Sequence, residues 1–410
     1  MSSHSRRELR AGMVGMGMIF DETYRPFFEQ TRQEGLYSRD FGDLDVPLVA
    51  VASKTGKRAE SYRESAGNRT YPFQSFSGDD AVRQMLRENL SFACVATPDD
   101  RHFEACRDIL DAGIHLLVEK PSVLSLCELD QLVELAQEKQ VLARVVYHKL
   151  LDPDHKKLRT LVCDGVLKHV NNGYCSLLEP KSISGGQFAE WIQGRNPGTY
   201  VAVHYIKLID FTFGGRLKTI MCSGQRGLVG PKDGNTWDST QLRLIYEYES
   251  GREAAFDIHT SWVTPDNFPG YVEQEVQFRF DNGIWNGHSR KRGVECTVEG
   301  LTPHKMKITM NNHYNGSFVE PWGSRVQRGY GVEVIDRFAR EVAFVEHGGP
   351  ATERELRLAS VRQLNYADLS ADRQVVAAVQ AMEMILSQHA AGYPDCVVRY
   401  DGQSLKLLRP

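Results

Sequence analysis

Leu9-Arg10-Ala11-Gly12-Met13-Val14-Gly15-Met16-Gly17-Met18-Ile19-Phe20 is the stretch on which the fold of this chain turns. A short apolar run ends in glycines, and a helical segment follows. In that order a phosphate-binding turn is expected: glycine lets a ligand approach the backbone closely, and the helix N-terminus supplies free N–H groups and positive dipole. Gly15, Gly17, Met18 and Ile19 are thus the expected cofactor contacts at this loop. Phe20 stands where G-x-G-x-x-G has its third glycine, so placement carries the reading, with a plain strand-to-helix turn as its alternative.

Working outward, Val46–Ala52, Ser91–Ala96, Ile114–Val118 and Val141–Tyr147 are further short apolar runs with helical segments between them. Near-continuous apolar strands alternating with helices indicate a parallel sheet covered on both faces. Asp79 or Asp80 can cap one helix, Gly113 can end the one over His102–Ala112, and Ser125-Leu126-Cys127-Glu128 fits a capping box. Beyond residue 150 the period changes to two: Leu242–Glu249, Glu253–Trp262 and Val272–Phe280 alternate and are joined by short turns, which indicates an antiparallel sheet. The expected fold class is α/β: a doubly wound parallel domain over 1–150, then a second α/β domain over 151–410 with an open, mainly antiparallel sheet. An amphipathic terminal helix over 372–391 could pack back on the first domain.

The chain has 410 residues, 41% hydrophobic and 25% charged, with a net charge of -4, which argues for a globular protein and against a nucleic-acid binder. No apolar run approaches the roughly 20 residues of a membrane span. The N-terminus carries no signal-peptide pattern, and the eight scattered cysteines suit a reduced, cytoplasmic setting. At the end of the second strand, Ser53 and Lys54 replace the acidic residue that accepts the ribose hydroxyls of NAD, tipping the expectation toward NADP.

Thr97-Pro98-Asp99-Asp100-Arg101-His102, followed seventeen residues after that histidine by Glu119-Lys120-Pro121, is more specific. A strand ending in TP-x-x-x-H, a helix, a strand and then EKP resembles the Gfo/Idh/MocA family of NAD(P)-dependent oxidoreductases. The resemblance covers the first 150 residues well and the remainder less closely. It implies a Rossmann domain, a nicotinamide cofactor held also by Thr97, Pro98, His102, Glu119 and Lys120, and sugar or polyol substrates.

Lys120 follows a buried-type strand at the carboxyl edge, where doubly wound folds bind ligands. Oxidising a secondary alcohol requires a group that takes the hydroxyl proton, and a lysine there can do so. The plain alternative is a surface lysine ending a strand. The family commonly has Asp-x-x-x-His in the segment matching Tyr200–His204. Here His204 is kept, Tyr200 replaces the acid, and Lys207 stands where another acidic residue is frequent. Lys120, His204 and Tyr200 are the catalytic candidates. His148, Lys149, Tyr200, His204 and Lys207 are the substrate-binding candidates.

Asp152, Asp154 and His155 near His148 match no metal-site spacing, and no metal is expected. Trp191, Trp237, Trp262, Trp285 and Trp322 could face a sugar, though core packing suits most of them. Arg290-Lys291-Arg292, with Arg195, leaves room for an anionic substituent. The leading reading is a carbohydrate or polyol dehydrogenase. The alternative is an NAD-dependent glycosidase or lyase working through transient ring oxidation, and a cofactor-binding sensor is a third. An open sheet face needs covering, so a homo-oligomer is expected.

Overall fold

The computed structural model of the chain describes residues 7–182, 192–230, 232–266, 268, 272–288, 294–297 and 307–409. Two compact units emerge, Met1–Leu151 with Tyr314–Asp372, and Asp152–His313 with Arg373–Pro410. The division is not a single cut near residue 150, because residues 314–372 cluster with the first unit.

In the first unit six parallel strands lie in the order Gln74–Ser77, Leu48–Ser53, Ala11–Val14, Phe92–Val95, His115–Glu119, Ala143–Val146. The strand order reverses at the neighbours Ala11–Val14 and Phe92–Val95, the switch point where doubly wound sheets open a crevice at their carboxyl ends. Every residue of Ala11–Val14, Phe92–Val95 and Ala143–Val146 is buried, which explains the continuous apolar character of the first two, while Arg144 interrupts the third. The sequence reading missed Gln74–Ser77, an edge strand whose polar QSFS composition lacks that signature.

Ser125 accepts from Glu128 N at 3.3 Å, and the Glu128 carboxylate accepts from Leu124 N at 3.3 Å, starting the helix Leu126–Glu138. Asp80 stands before the short helix Ala81–Met85, but its side chain makes no capping bond. The helix Tyr330–His347 then completes the core. Its Ile335, Phe338, Ala339 and Val342 are buried, and Phe338 meets Phe92 edge-on at 5.5 Å. Arg144, 1% exposed on the last strand, pairs with Glu341 at 2.9 Å and Asp368 at 3.4 Å. A buried cation needs such partners, and here they come from the returning segment.

The second unit holds an eight-stranded sheet in the order Ile284–His288, Glu273–Phe280, Val170–Pro180, Glu253–Thr264, Ser239–Glu247, Arg216–Gln225, Val397–Tyr400, Leu405–Leu408. Neighbours are antiparallel except Val170–Pro180 and Glu253–Thr264, which run parallel. Along Glu253–Thr264 burial alternates, with Phe256, Ile258 and Trp262 inward. The helix Arg373–Ala390 packs within this unit, against Arg216–Gln225 and the helix Val203–Phe213.

Candidate functional site

Two glycines of the first loop serve different ends. Gly15 has φ +87°, and a Cβ there would lie 2.5 Å from Ala96 O, so the turn itself requires glycine. Apart from its chain neighbours, Gly17 has no heavy atom of the described residues within 4 Å of where a Cβ would stand. Its side-chain space is open, as an approaching pyrophosphate requires. Met18 and Ile19 begin the helix; Ile19 packs on the apolar core, so its backbone N–H is what it can offer a ligand. Phe20–Tyr24 then forms a wide π-helical turn, and Phe20 is buried edge-on against Tyr62 at 5.2 Å. A bulky ring and a widened turn thus occur together where the usual motif has glycine.

Ser53 ends its strand with Oγ accepting from Gly56 N at 3.1 Å, while Lys54 is exposed. Thr97 follows Phe92–Val95, and its buried Oγ1 has no partner among the described residues, a polar atom suited to a bound ligand. Pro98 leads into the turn Asp99–Arg101. His102 sits 2.8 Å through Nδ1 from Pro121 O and 2.9 Å through Nε2 from Thr97 O. Both ring nitrogens face carbonyls, so His102 ties the TP loop to the EKP loop. Burial holds its pKa below the ordinary histidine value.

Lys120 is half-buried at the end of His115–Glu119, and its peptide bond to Pro121 is cis. Glu119, His148 and His102 are among the titratable neighbours that feel its charge. Burial raises the pKa of Glu119 to about 7, while the Lys120 charge and a hydrogen bond from Tyr24 pull the other way. Burial lowers the pKa of His148 to about 3, and the charges of Lys120 and Lys149 push in the same direction. His148 is therefore a neutral imidazole in this environment. The Lys120 charge also pushes the His102 pKa down. Lys149 is 7% exposed beside His148 in the short helix His148–Leu151.

Tyr314, from the returning segment, stands edge-on to His148 with ring centroids 5.7 Å apart. Its hydrogen bond holds Glu22 down against a larger upward push from burial. Tyr24, Glu22 and Tyr314 belong to no motif, and sequence reasoning did not find them. Glu22 is half-buried and Tyr24 buried, and the signal available in the sequence was no more than polar residues directly after the glycine loop.

In the second unit Tyr200 lies in the π-helical turn Gly198–Ala202, and His204 in the α-helix Val203–Phe213. The wide turn bonds i to i+5, so the simple one-turn pairing of 200 with 204 assumed for an α-helix does not describe this backbone. Asn196 and Thr199 pin the turn: both donate to Glu383 Oε1 at 2.6 Å, and Thr199 N donates to Asn196 Oδ1 at 2.7 Å. Both Tyr200 and His204 are half-buried. Lys207 is 1% exposed and paired with Asp210 at 3.8 Å, so its charge is engaged inside its own helix.

Other singled-out residues resolve more plainly. Asp152 caps the helix Pro153–Cys163, its Oδ1 accepting from Asp154 N at 3.0 Å. Trp237 and Trp262 are core residues, the latter donating to Glu179 at 3.0 Å, whereas Trp322 is exposed on a hairpin of the first unit. Trp191 and Arg290-Lys291-Arg292 lie outside the described residues.

Residues 9–147 match the oxidoreductase family with an NAD-binding Rossmann fold (GFO_IDH_MocA). An uncharacterized oxidoreductase, YfiI, of Bacillus subtilis (strain 168) is 24% identical over 44% of this chain and 46% of its own length. D-glucoside 3-dehydrogenase of Escherichia coli (strain K12) is 23% identical over 52% of this chain and 56% of its own length. The chain thus spans about half the length of these curated relatives. Among solved structures, an inositol dehydrogenase homolog from Azotobacter vinelandii, complexed with NADH and myo-inositol, superposes with a TM-score of 0.63 at 19% identity. That match covers 96% of this chain and 98% of the other and shows a shared fold.

Proposed function

We propose that this chain, whose residues 9–147 belong to the NAD-binding Gfo/Idh/MocA oxidoreductase family, transfers a hydride between a carbohydrate or polyol hydroxyl carbon and NAD(P). The observation that carries the reading is Lys120, placed at the carboxyl edge of the parallel sheet beside buried Glu119 and neutral His148. Gly15, Gly17, Met18, Ile19, Ser53, Lys54, Thr97, Pro98, His102, Glu119 and Lys120 are the proposed cofactor contacts. The open space at Gly17 and the unpartnered Thr97 Oγ1 suit a dinucleotide. When bound, the nicotinamide supplies hydride acceptance and donation.

In its uncharged amine form Lys120 takes the hydroxyl proton at Nζ and becomes the ammonium. His148, neutral and able to donate and accept, orients a substrate hydroxyl. Lys149, Tyr200 and His204 bind substrate, with Tyr200 and His204 as catalytic partners; Lys207, expected beside them, is buried and paired with Asp210 and so serves its own helix. The D-glucoside and inositol activities in the names of similar proteins support the substrate class. A homo-oligomer and a cytoplasmic setting are part of this reading.

Lys120→Ala tests it: turnover should fall about 10²–10⁴-fold, the usual size of a general-base contribution, while NAD(H) still binds by fluorescence titration. Near-normal turnover would remove the assignment. Assays with inositols, sugars and aryl glycosides address the reaction class. Stoichiometric reduced cofactor supports the dehydrogenase. Aglycone release without net reduction, with solvent deuterium in the product, establishes redox-neutral glycoside cleavage instead.

A further inference from the structure

We infer that Asp372 is a positioning residue, whose buried carboxylate clasps the loops after two neighbouring strands and so sets where Lys120 and His148 stand. Asp372 is 1% exposed at the end of the turn Leu369–Asp372. Its Oδ2 accepts from Ser122 Oγ at 2.6 Å, and its Oδ1 accepts from Tyr147 Oη at 2.6 Å. Ser122 is two residues past Lys120, and Tyr147 immediately precedes His148. Those strands, His115–Glu119 and Ala143–Val146, are adjacent parallel partners. One carboxylate therefore holds the two sheet-edge loops that carry the candidate chemistry, one oxygen to each.

The geometry suits that task. Hydroxyl-to-carboxylate bonds of this length are among the stronger hydrogen bonds, and burial excludes competing water. Both donors are as buried as the acceptor, at 0% for Ser122 and 2% for Tyr147. The turn bearing Asp372 is itself anchored to the last strand, by Val145 N donating to Ala367 O at 2.8 Å and by the Arg144–Asp368 pair. The contacts of Asp372 to Ser122 and Tyr147 are to the loops that carry the candidate residues. Its effect passes through the loops it holds, and small misplacement of a reacting group is costly in rate.

The inference rests on the proposed function only for its consequence in turnover. Its primary test needs no substrate: trinitrobenzenesulfonate labelling of Lys120 in the full chain, located by peptide mass spectrometry. Asn at 372 keeps the shape but replaces one acceptor oxygen by a donor. In Asp372→Asn the Lys120 labelling rate should rise about threefold or more as the loop loosens, with exposed Lys54 unchanged as internal control. Tyr147→Phe alone should raise it too, and should add nothing in the Asp372→Asn background. Should Asp372→Asn not fold, the milder pair Ser122→Ala and Tyr147→Phe carries the same test. An unchanged Lys120 rate in a folded variant overturns the inference, whatever happens to the melting temperature. Turnover of an aryl glucoside with NAD⁺ should show kcat down about tenfold at unchanged KM for NAD⁺. If Lys120→Ala keeps its turnover while Asp372→Asn alters Lys120 labelling, the functional reading fails and the positioning role stands. If Lys120→Ala is inactive while labelling is unmoved, the reverse holds.

Discussion

Tyr24 Oη donates a 3.0 Å hydrogen bond to Glu119 Oε1 with both side chains buried, joining the helix after the glycine loop to the residue that precedes Lys120. Desolvation is the largest influence on that carboxyl, and the Tyr24 bond opposes it. The Glu119 pKa, near 4.5 in an exposed setting, rises to about 7.

Stability should follow from that difference. At intermediate pH the folded chain holds a proton that the unfolded chain has lost. The contribution of Glu119 is therefore fully present below about 4.5 and is lost as pH rises through about 7. Glu119→Gln should flatten the corresponding decline in melting temperature, and Tyr24→Phe should extend that decline to higher pH. His148 acts oppositely. Its pKa falls from 6.5 to about 3, so its contribution is lost as pH drops through that window, and His148→Gln should soften the acid limb. Melting temperatures of the cofactor-free proteins across pH check all three.

Gly15→Ala and Gly17→Val should fail in different ways. The first places a side chain at φ +87° and against Ala96 O, so it should destabilise by about 1–3 kcal/mol from backbone strain alone. The second enters open space, so melting should barely change while dinucleotide affinity falls about a hundredfold or more. Paired thermal melts and NAD(H) titrations distinguish them.

Arg144→Met should be among the costliest substitutions in the first unit. It leaves Glu341 and Asp368 without their shared buried cation, at a typical cost of about 3–5 kcal/mol. Glu341 keeps Arg337 at 3.0 Å and Tyr366 at 3.1 Å, which places the expected value at the lower end. Urea unfolding gives the number.

Ser53→Asp bears on cofactor choice. The shorter acid can still accept from Gly56 N, as Ser53 Oγ does at 3.1 Å, so the turn should persist. Its charge would repel a 2′-phosphate, and calorimetry should show NADP weakened more than NAD. Equal losses would mean that residue 53 does not contact the ribose.

Much of the first unit was legible locally. Buried strands such as Ala11–Val14 and Phe92–Val95 announce themselves by unbroken apolar runs, Gly15 by its place after one, and Ser125 with Glu128 by spacing. The alternation along Glu253–Thr264 was equally plain. Gln74–Ser77 was not, because an edge strand can be polar. Nor was the π-helical turn around Tyr200, since apolar spacing does not distinguish it from an α-helical one.

By itself the sequence determined the parallel-then-antiparallel order of the sheets, the glycine turn and the position of Lys120 at a strand's carboxyl end. Those depend on period, turn chemistry and neighbouring residues, all local quantities. Only the tertiary structure decided that 314–372 completes the first unit, that Tyr314 stands beside His148, and that Asp372 joins Ser122 to Tyr147. Asp372 is 250 residues from Ser122, and Glu341 is 197 from Arg144. A buried polar group must find a partner, but any of many distant side chains can satisfy it, and only the folded path of the chain selects which one does.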